Sequence, residues 1–235
     1  MEKKYRLTEE TKNINGHILH RIEALRDFGS VSKGQKGGWV QSEDNLSHEN
    51  NCWVYKYACV YQNAYVCGTA LVSGYTQVYD NAWVYGDAWV YDNAQVFGNA
   101  QVYEDACVYD NAQVYDNAQI YGNAQVYRNT KVYGDACVYD NAQVYGDAQV
   151  YGNAHLKIGK YDEGKITETP MAIVSSEYVV NKSGNGIFIG CMKLTPEEWL
   201  GDKGKQLAIK NDFTEKQIDE YRKIIGYIMD YYNIK

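Results

Sequence analysis

The chain has 235 residues and carries 30 Asp and Glu against 23 Lys and Arg, a net charge of −7. That length suffices for one or two domains with a substantial core. An acid surplus argues against direct, sequence-independent nucleic-acid binding, which wants a basic surface. There is no run of about 18 apolar residues, so no membrane partner is expected. The start, "MEKKYRLTEE", lacks an apolar stretch after its basic residues, which argues against a signal peptide and for a cytoplasmic protein. Six Cys (52, 59, 67, 107, 137, 191) show no C-x-x-C and no paired metal spacing. They read as reduced structural thiols, with no disulfide scaffold, metal site or resident cofactor expected.

Residues 1–39 read as an N-terminal β cap. Within it His17 to Phe28 is expected as a strand, with Ile18, Leu19, Ile22 and Leu25 as its apolar content. The glycines of "KGQKGG" then turn the chain into a first coil at Trp39–Val40. The spacing from Leu46 to Val54 is eight residues, which puts a small bulge there.

Residues 40–158 are dominated by a period of six. Aliphatic residues stand at 54, 60, 66 and every sixth position through Leu156, eighteen in succession, and Ala or Thr follows four residues after each up to Ala154. A helix would repeat every 3.6 residues, so six fits a short strand plus a tight corner. In "QVY" the Val points inward while Gln and Tyr point outward. Gly, Asn and Asp at the next positions reach left-handed backbone angles that a corner demands. A parallel β-solenoid is the reading. A corner leaves room inside for little more than Ala.

The pattern aliphatic–x–(D/G)–(N/D)–Ala–x resembles the hexapeptide repeat of left-handed β-helices, in which three repeats make one triangular coil. Eighteen repeats would then give about six coils, roughly 29 Å of prism at about 4.8 Å per coil. The flanking stretches "KYRL", "RIEALRDF", "KGGWV", "NLS" and "NCWVY" resemble a bacterial and phage-borne group of YdcK-like hexapeptide-repeat proteins. "IGCMKLTPEEWL" is similar to the small C-terminal domain of the phage members. The resemblance implies a solenoid protein, in a phage or prophage setting, of poorly defined biochemical role.

Residues 159–235 read as a C-terminal α+β cap. Strands are expected over 166–192, with "SGNG" as a hairpin turn. Thr195-Pro196-Glu197-Glu198 starts a short helix, and Thr214-Glu215-Lys216-Gln217 opens a longer one whose Ile218, Tyr221, Ile225, Ile228 and Tyr232 share a face.

Folding the repeat by eighteen sorts its outward residues into columns. Trp53, Leu71 and Trp89 begin one column and Tyr65 and Trp83 another, and both columns turn polar further on. These apolar starts are expected to contact the cap or a second subunit, making a homo-oligomer one expectation. Tyr91, Tyr109, Tyr127 and Tyr145 form an aromatic ladder, which reads as self-stacking or as a platform for a partner's rings or bases. The acid surplus falls wholly on residues 52–156, with ten acids against three bases. Corner acids such as Asp87, Asp92, Asp105, Asp110 and Asp140 are therefore candidates for binding a basic protein surface. Spread over about 29 Å, a net seven charges is less than half of DNA's density of one per about 1.7 Å.

Many hexapeptide-repeat proteins are CoA-dependent acyltransferases with a His general base beside an extruded loop. No insertion interrupts residues 54–156, and His155 and His48 are the only catalytic candidates. The expectation is a non-catalytic acidic scaffold, in its concrete form a phage accessory protein that binds and inhibits a host defence protein. A CoA-dependent acyltransferase and a nucleotide-sequestering sponge are the alternatives.

Overall fold

The computed structural model describes residues 2–167, 169–174 and 178–234. Each hexad contributes a two-residue rung such as Gln95–Val96 or Gln113–Val114. Each rung pairs in parallel with the rung eighteen residues on, Gln95 with Gln113 and Val96 with Val114. Three columns of rungs close a three-sided tube. The inward residues Val96, Val114, Ala94 and Ala112 are fully buried, and each buried Val contributes roughly 1.5–3 kcal/mol.

The column from Val40 through Val60, Val78, Val96, Val114, Val132 and Val150 to Ile166 spans about seven turns. Five of these turns are regular eighteen-residue steps, joining the six rungs that the hexads supply to this column, as the period predicts. The remainder comes from irregular turns at the ends. Val40 pairs with Val60 and Leu46 bridges to Val66, both twenty residues on, which accommodates the expected bulge between Leu46 and Val54. At the far end Val150 pairs with Ile166, only sixteen residues on.

The corners explain the rest of the hexad. The first corner residue is left-handed, with φ of 57° at Asp80, 61° at Asp92 and 58° at Asp116. At Gly74 a Cβ would lie 2.5 Å from the backbone oxygen of Asp92, so only glycine fits there. Where an acid takes the place, it repays part of the strain of roughly 1–2 kcal/mol by bonding to the next turn. Asp80 Oδ2 accepts from the Gly98 N–H at 3.2 Å, Glu104 from Gly122 at 2.9 Å, and Asp116 from Gly134 at 3.2 Å. The second corner residue builds amide ladders. Asn81 donates to Asn99, Asn99 to Asn117, and Asn117 to Asp135, at 2.9–3.1 Å. Asp can only accept, and it stands last.

The N-terminal cap is a hairpin. Strands β1 (Tyr5–Ile14) and β2 (His17–Ala24) pair antiparallel and join β3 (Lys36–Val40), which pairs in parallel with the first regular rung of its column. The expected single strand at 17–28 is thus only one arm and ends at Ala24. Ile18 is 55 % exposed and Leu25 lies past the strand end; the buried residues are Ile22 and Ala24, in the tube core, and Leu19, which packs with Cys59 and Tyr61. Lys4 locks this hairpin down. Its buried Nζ donates to the backbone oxygens of Cys52 (2.8 Å) and Glu49 (3.2 Å), bridging the bulge.

Beyond the solenoid, residues 172–174, 179–183, 186–189 and 192–194 form an antiparallel sheet with Gly184-Asn185 at one turn. Residues 168 and 175–177 of the stretch expected as strands lie outside the described residues. Helices α1 (Pro196–Leu200) and α3 (Glu215–Tyr231) start at Thr195 and Thr214, each with a complete capping box. Ile218, Tyr221, Ile225 and Ile228 are buried against Val180, Ile187 and Ile189, and Tyr232 packs at the edge of this cluster. Between α1 and α3 lies α2 (Asp202–Lys210), which was not expected. Asn181 ties this unit to the tube, donating to Lys160 O at 2.7 Å and accepting from Lys160 N at 3.1 Å. Among the described residues no helix is long and apolar enough to cross a membrane.

Candidate binding surface

Four indoles near the start of the tube meet three different fates. Trp53 is fully buried, packed edge-on against Tyr5 at 6.1 Å and Phe28 at 5.3 Å of the cap. Trp39 is half-buried under two cations of the hairpin, with Arg21 at 5.3 Å and Lys12 at 6.0 Å from its ring. Trp83 and Trp89 are 50 % and 53 % exposed. Within the chain the cap thus covers the first column at Trp53 but leaves Trp89, two turns on, and Trp83 of the other column uncovered. The cap reaches Trp53 and stops short of Trp89. Leu71 is half-buried between them in the same column, as Trp89 pairs with Leu71 and Leu71 with Trp53. In the other column Tyr65 touches Trp83 edge-on at 5.9 Å, and Trp83 touches Tyr85 at 6.4 Å.

The tyrosine ladders stack as their eighteen-residue spacing predicts. Ring centroids of Tyr91 and Tyr109 are 4.8 Å apart, Tyr109 and Tyr127 4.8 Å, and Tyr127 and Tyr145 5.1 Å, all within 9° of parallel. This geometry works against a base-stacking platform. Each interior ring has both faces taken by its neighbours and offers a partner only its edge. Arg128 lies 5.6 Å from the Tyr145 ring. Burial, with help from the flanking phenols, pushes Tyr109 up to about 12.

The corner acids are partly engaged in holding the tube. Asp110 accepts from the Arg128 N–H at 3.2 Å, Asp87 accepts from the Thr69 hydroxyl, and Asp140 lies 3.7 Å from Lys157. Asp92 and Asp105 are exposed. From residue 57 through 127 there are seven acids and no Lys, Arg or His. The two exposed indoles stand in that stretch.

The two histidines are far apart. Leu46 and Leu156 occupy the same column six rungs apart, about 29 Å, and His48 and His155 lie beside them. His48 stacks on Tyr5 at 4.3 Å, its Nδ1 accepts from the Lys4 N–H at 3.2 Å, and its Nε2 is 3.6 Å from Glu43. The lone pair a general base would use is thus taken by backbone. His155 is exposed, edge-on to Tyr139 at 6.5 Å.

A rigid three-sided solenoid with one apolar, base-free stretch near its capped end defines a β-solenoid protein with a surface rather than a pocket as its candidate site. A profile of the YdcK β-solenoid repeat matches residues 76–92 and 118–130. An Escherichia coli K12 protein described as "Uncharacterized acetyltransferase YdcK" is 38 % identical over 61 residues, 23 % of this chain and 19 % of the relative. The chain is a β-solenoid protein whose repeat is similar to that of YdcK. It spans about a fifth of the length of that relative, and the match carries neither a phage origin nor an inhibitory role.

Proposed function

We propose that this chain is a non-catalytic binding scaffold that recognises another protein through the early turns of the tube around Trp83 and Trp89. The observation that carries this reading is the half-exposure of both indoles in columns that run on as Cys107, Gln125 and Gln143 and as Gln101, Gln119, Cys137 and His155. Large aromatic side chains left uncovered on a rigid surface are the groups that dominate interface energetics. A host-directed inhibitor is the concrete form to test. Pull-down from bacterial lysate should capture a partner with the wild-type chain and lose it with Trp83→Ala/Trp89→Ala. Equal capture by both would overturn the reading.

The description of the E. coli relative favours a second reading, acetyl transfer from a CoA thioester. It would have to use His48 or His155, each without the other. Binding of acetyl-CoA in calorimetry, with turnover lost in His48→Ala or His155→Ala, would establish it. A nucleotide sponge draws less support, because the stacked phenols leave few open ring faces. Native mass spectrometry of the purified chain tests it directly.

A further inference from the structure

Three ladders of rings run up the tube. One, from Tyr61 through Tyr79 and Phe97 to Tyr151, has no gap. A second begins with Cys67 and continues as tyrosine from Tyr85 to Tyr139. The third reads Tyr55, Ser73, Tyr91, Tyr109 and onward, and Ser73 is its one interior break. Backbone bonds fix the stacking order, from Tyr55 N–H to Val72 O at 2.8 Å and from Ser73 N–H to Val90 O at 2.9 Å. Tyr55 and Tyr91 therefore stand two rungs apart, about 9.6 Å. The ladder above shows that one ring fits each interval of 4.8 Å. At Ser73 the ladder lacks one ring, an interval that matches a single planar group.

The surroundings select what fills it. On the strand side stand Leu71 and the exposed Trp89; on the corner side stands Tyr75, 65 % exposed. Asp92 lies at the head of the same corner column and Lys56 at its foot, with Gly74 between. Asp92 and Lys56 balance at the notch itself, and the seven acids of residues 57–127, which carry no base, tip the wider field toward a cation and away from a nucleobase, which would bring phosphate into it. A second copy presenting the same face would bring seven more acids. The chain itself shows what covers an outward indole in this tube, since Trp39 lies under Arg21 and Lys12.

We infer that the notch over Ser73 receives an arginine guanidinium from a protein partner, stacked between Tyr55 and Tyr91 with Trp89 alongside. Guanidinium is planar as well as cationic, so it lies flat in the interval of one ring, which a tetrahedral ammonium cannot do. The inference rests on the binding-scaffold reading and names its partner's chemistry.

Ser73→Tyr should complete the ladder and close the notch, while Ser73→Ala leaves it open. The probes are a Gly-Arg repeat peptide, a Gly-Lys peptide of equal charge and an uncharged Gly-Tyr peptide. Calorimetry should show the Arg peptide binding the wild type and Ser73→Ala alike, with the Ser73 amide and Trp89 indole signals shifting in NMR. Binding should fall at least tenfold in Ser73→Tyr, whose Tm should be unchanged or higher. Equal binding of the Arg and Lys peptides, preference for the Tyr peptide, or full binding by Ser73→Tyr would each overturn it. A lysate partner held by Ser73→Tyr but lost by Trp83→Ala/Trp89→Ala would sink the notch and keep the scaffold. Capture equal in every variant would sink both.

Discussion

The turns between Trp53 and Phe97 and those between Cys107 and Ala154 share one backbone and one register but not one surface. In both, the inward-pointing positions are Val and Ala apart from Thr76, Ile120 and Thr130. Outside, the later turns repeat Gln, Tyr and Asn, whereas the earlier ones carry Leu71, Ser73, Tyr75, Trp83 and Trp89. Folding therefore constrains the inward letters equally everywhere and is indifferent to most outward ones. Departures from the repeat that the tube does not need are the places to look for recognition.

The comparison is tested most severely where the two regions agree. Val72→Asp and Val108→Asp each bury a carboxylate in a side-chain layer with no polar partner. Both should cost more than about 4 kcal/mol and abolish the cooperative thermal transition in circular dichroism. A folded Val72→Asp beside an unfolded Val108→Asp would mean the two regions are not one core. The next effect separates them. Trp53→Ala removes an indole sealed by Tyr5 and Phe28 and should cost about 3–5 kcal/mol. Trp89→Ala, two rungs away in the same column, should cost under about 1 kcal/mol in denaturant titration. A comparable loss at both would show that Trp89 stabilises the tube and is not held free for a partner.

What the sequence disclosed follows the same division. The inward Val and Ala of each hexad are obligatory, so the period, the register and the tyrosine stacking could be read directly. Strand β1 could not, because an exposed edge strand such as "TEETKN" has no buried side to impose a period. Helix α2 hid for a related reason: "DKGKQLAIK" has a glycine inside it and few apolar residues to mark a face. Capping boxes at Thr195 and Thr214 betrayed the other two helices. For the site, the indole columns were visible but their cover was not. Whether Trp53 or Trp89 is buried depends on how far along the tube the hairpin lies, which no local pattern encodes. The break at Ser73 stands in the sequence as a missing tyrosine.

The ladders themselves give a pH test of smaller effect. Burial first, and then neighbouring phenols, raise Tyr103 and Tyr109 to about 12 from an ordinary value near 10. Over that interval the folded chain keeps protons that the unfolded chain releases. Stability from this source is therefore complete below about pH 10 and is lost as pH rises toward 12. Tyrosinate absorbance should lag the free phenol, and Tm should fall across the same window. Titration near 10 with an unmoved Tm would mean the rings are not packed as ladders.

The smallest effect probes the direction of the amide ladders. Asn99 accepts from Asn81 at 3.1 Å and donates to Asn117 at 3.0 Å. In Asn99→Asp the donor is gone, and a carboxylate faces the Asn117 oxygen. Asp135 only accepts, from Asn117 at 2.9 Å, and Asp135→Asn keeps an acceptor there. The first change should cost about 0.5–1.5 kcal/mol and the second under about 0.5 kcal/mol. Because the first also adds a charge to an acidic surface, both belong at low and high salt. A deficit in Asn99→Asp that persists in high salt reports the broken donor chain. One that vanishes reports repulsion alone, and the Asn columns would then be spacing elements rather than a polarised hydrogen-bond chain running up the corner.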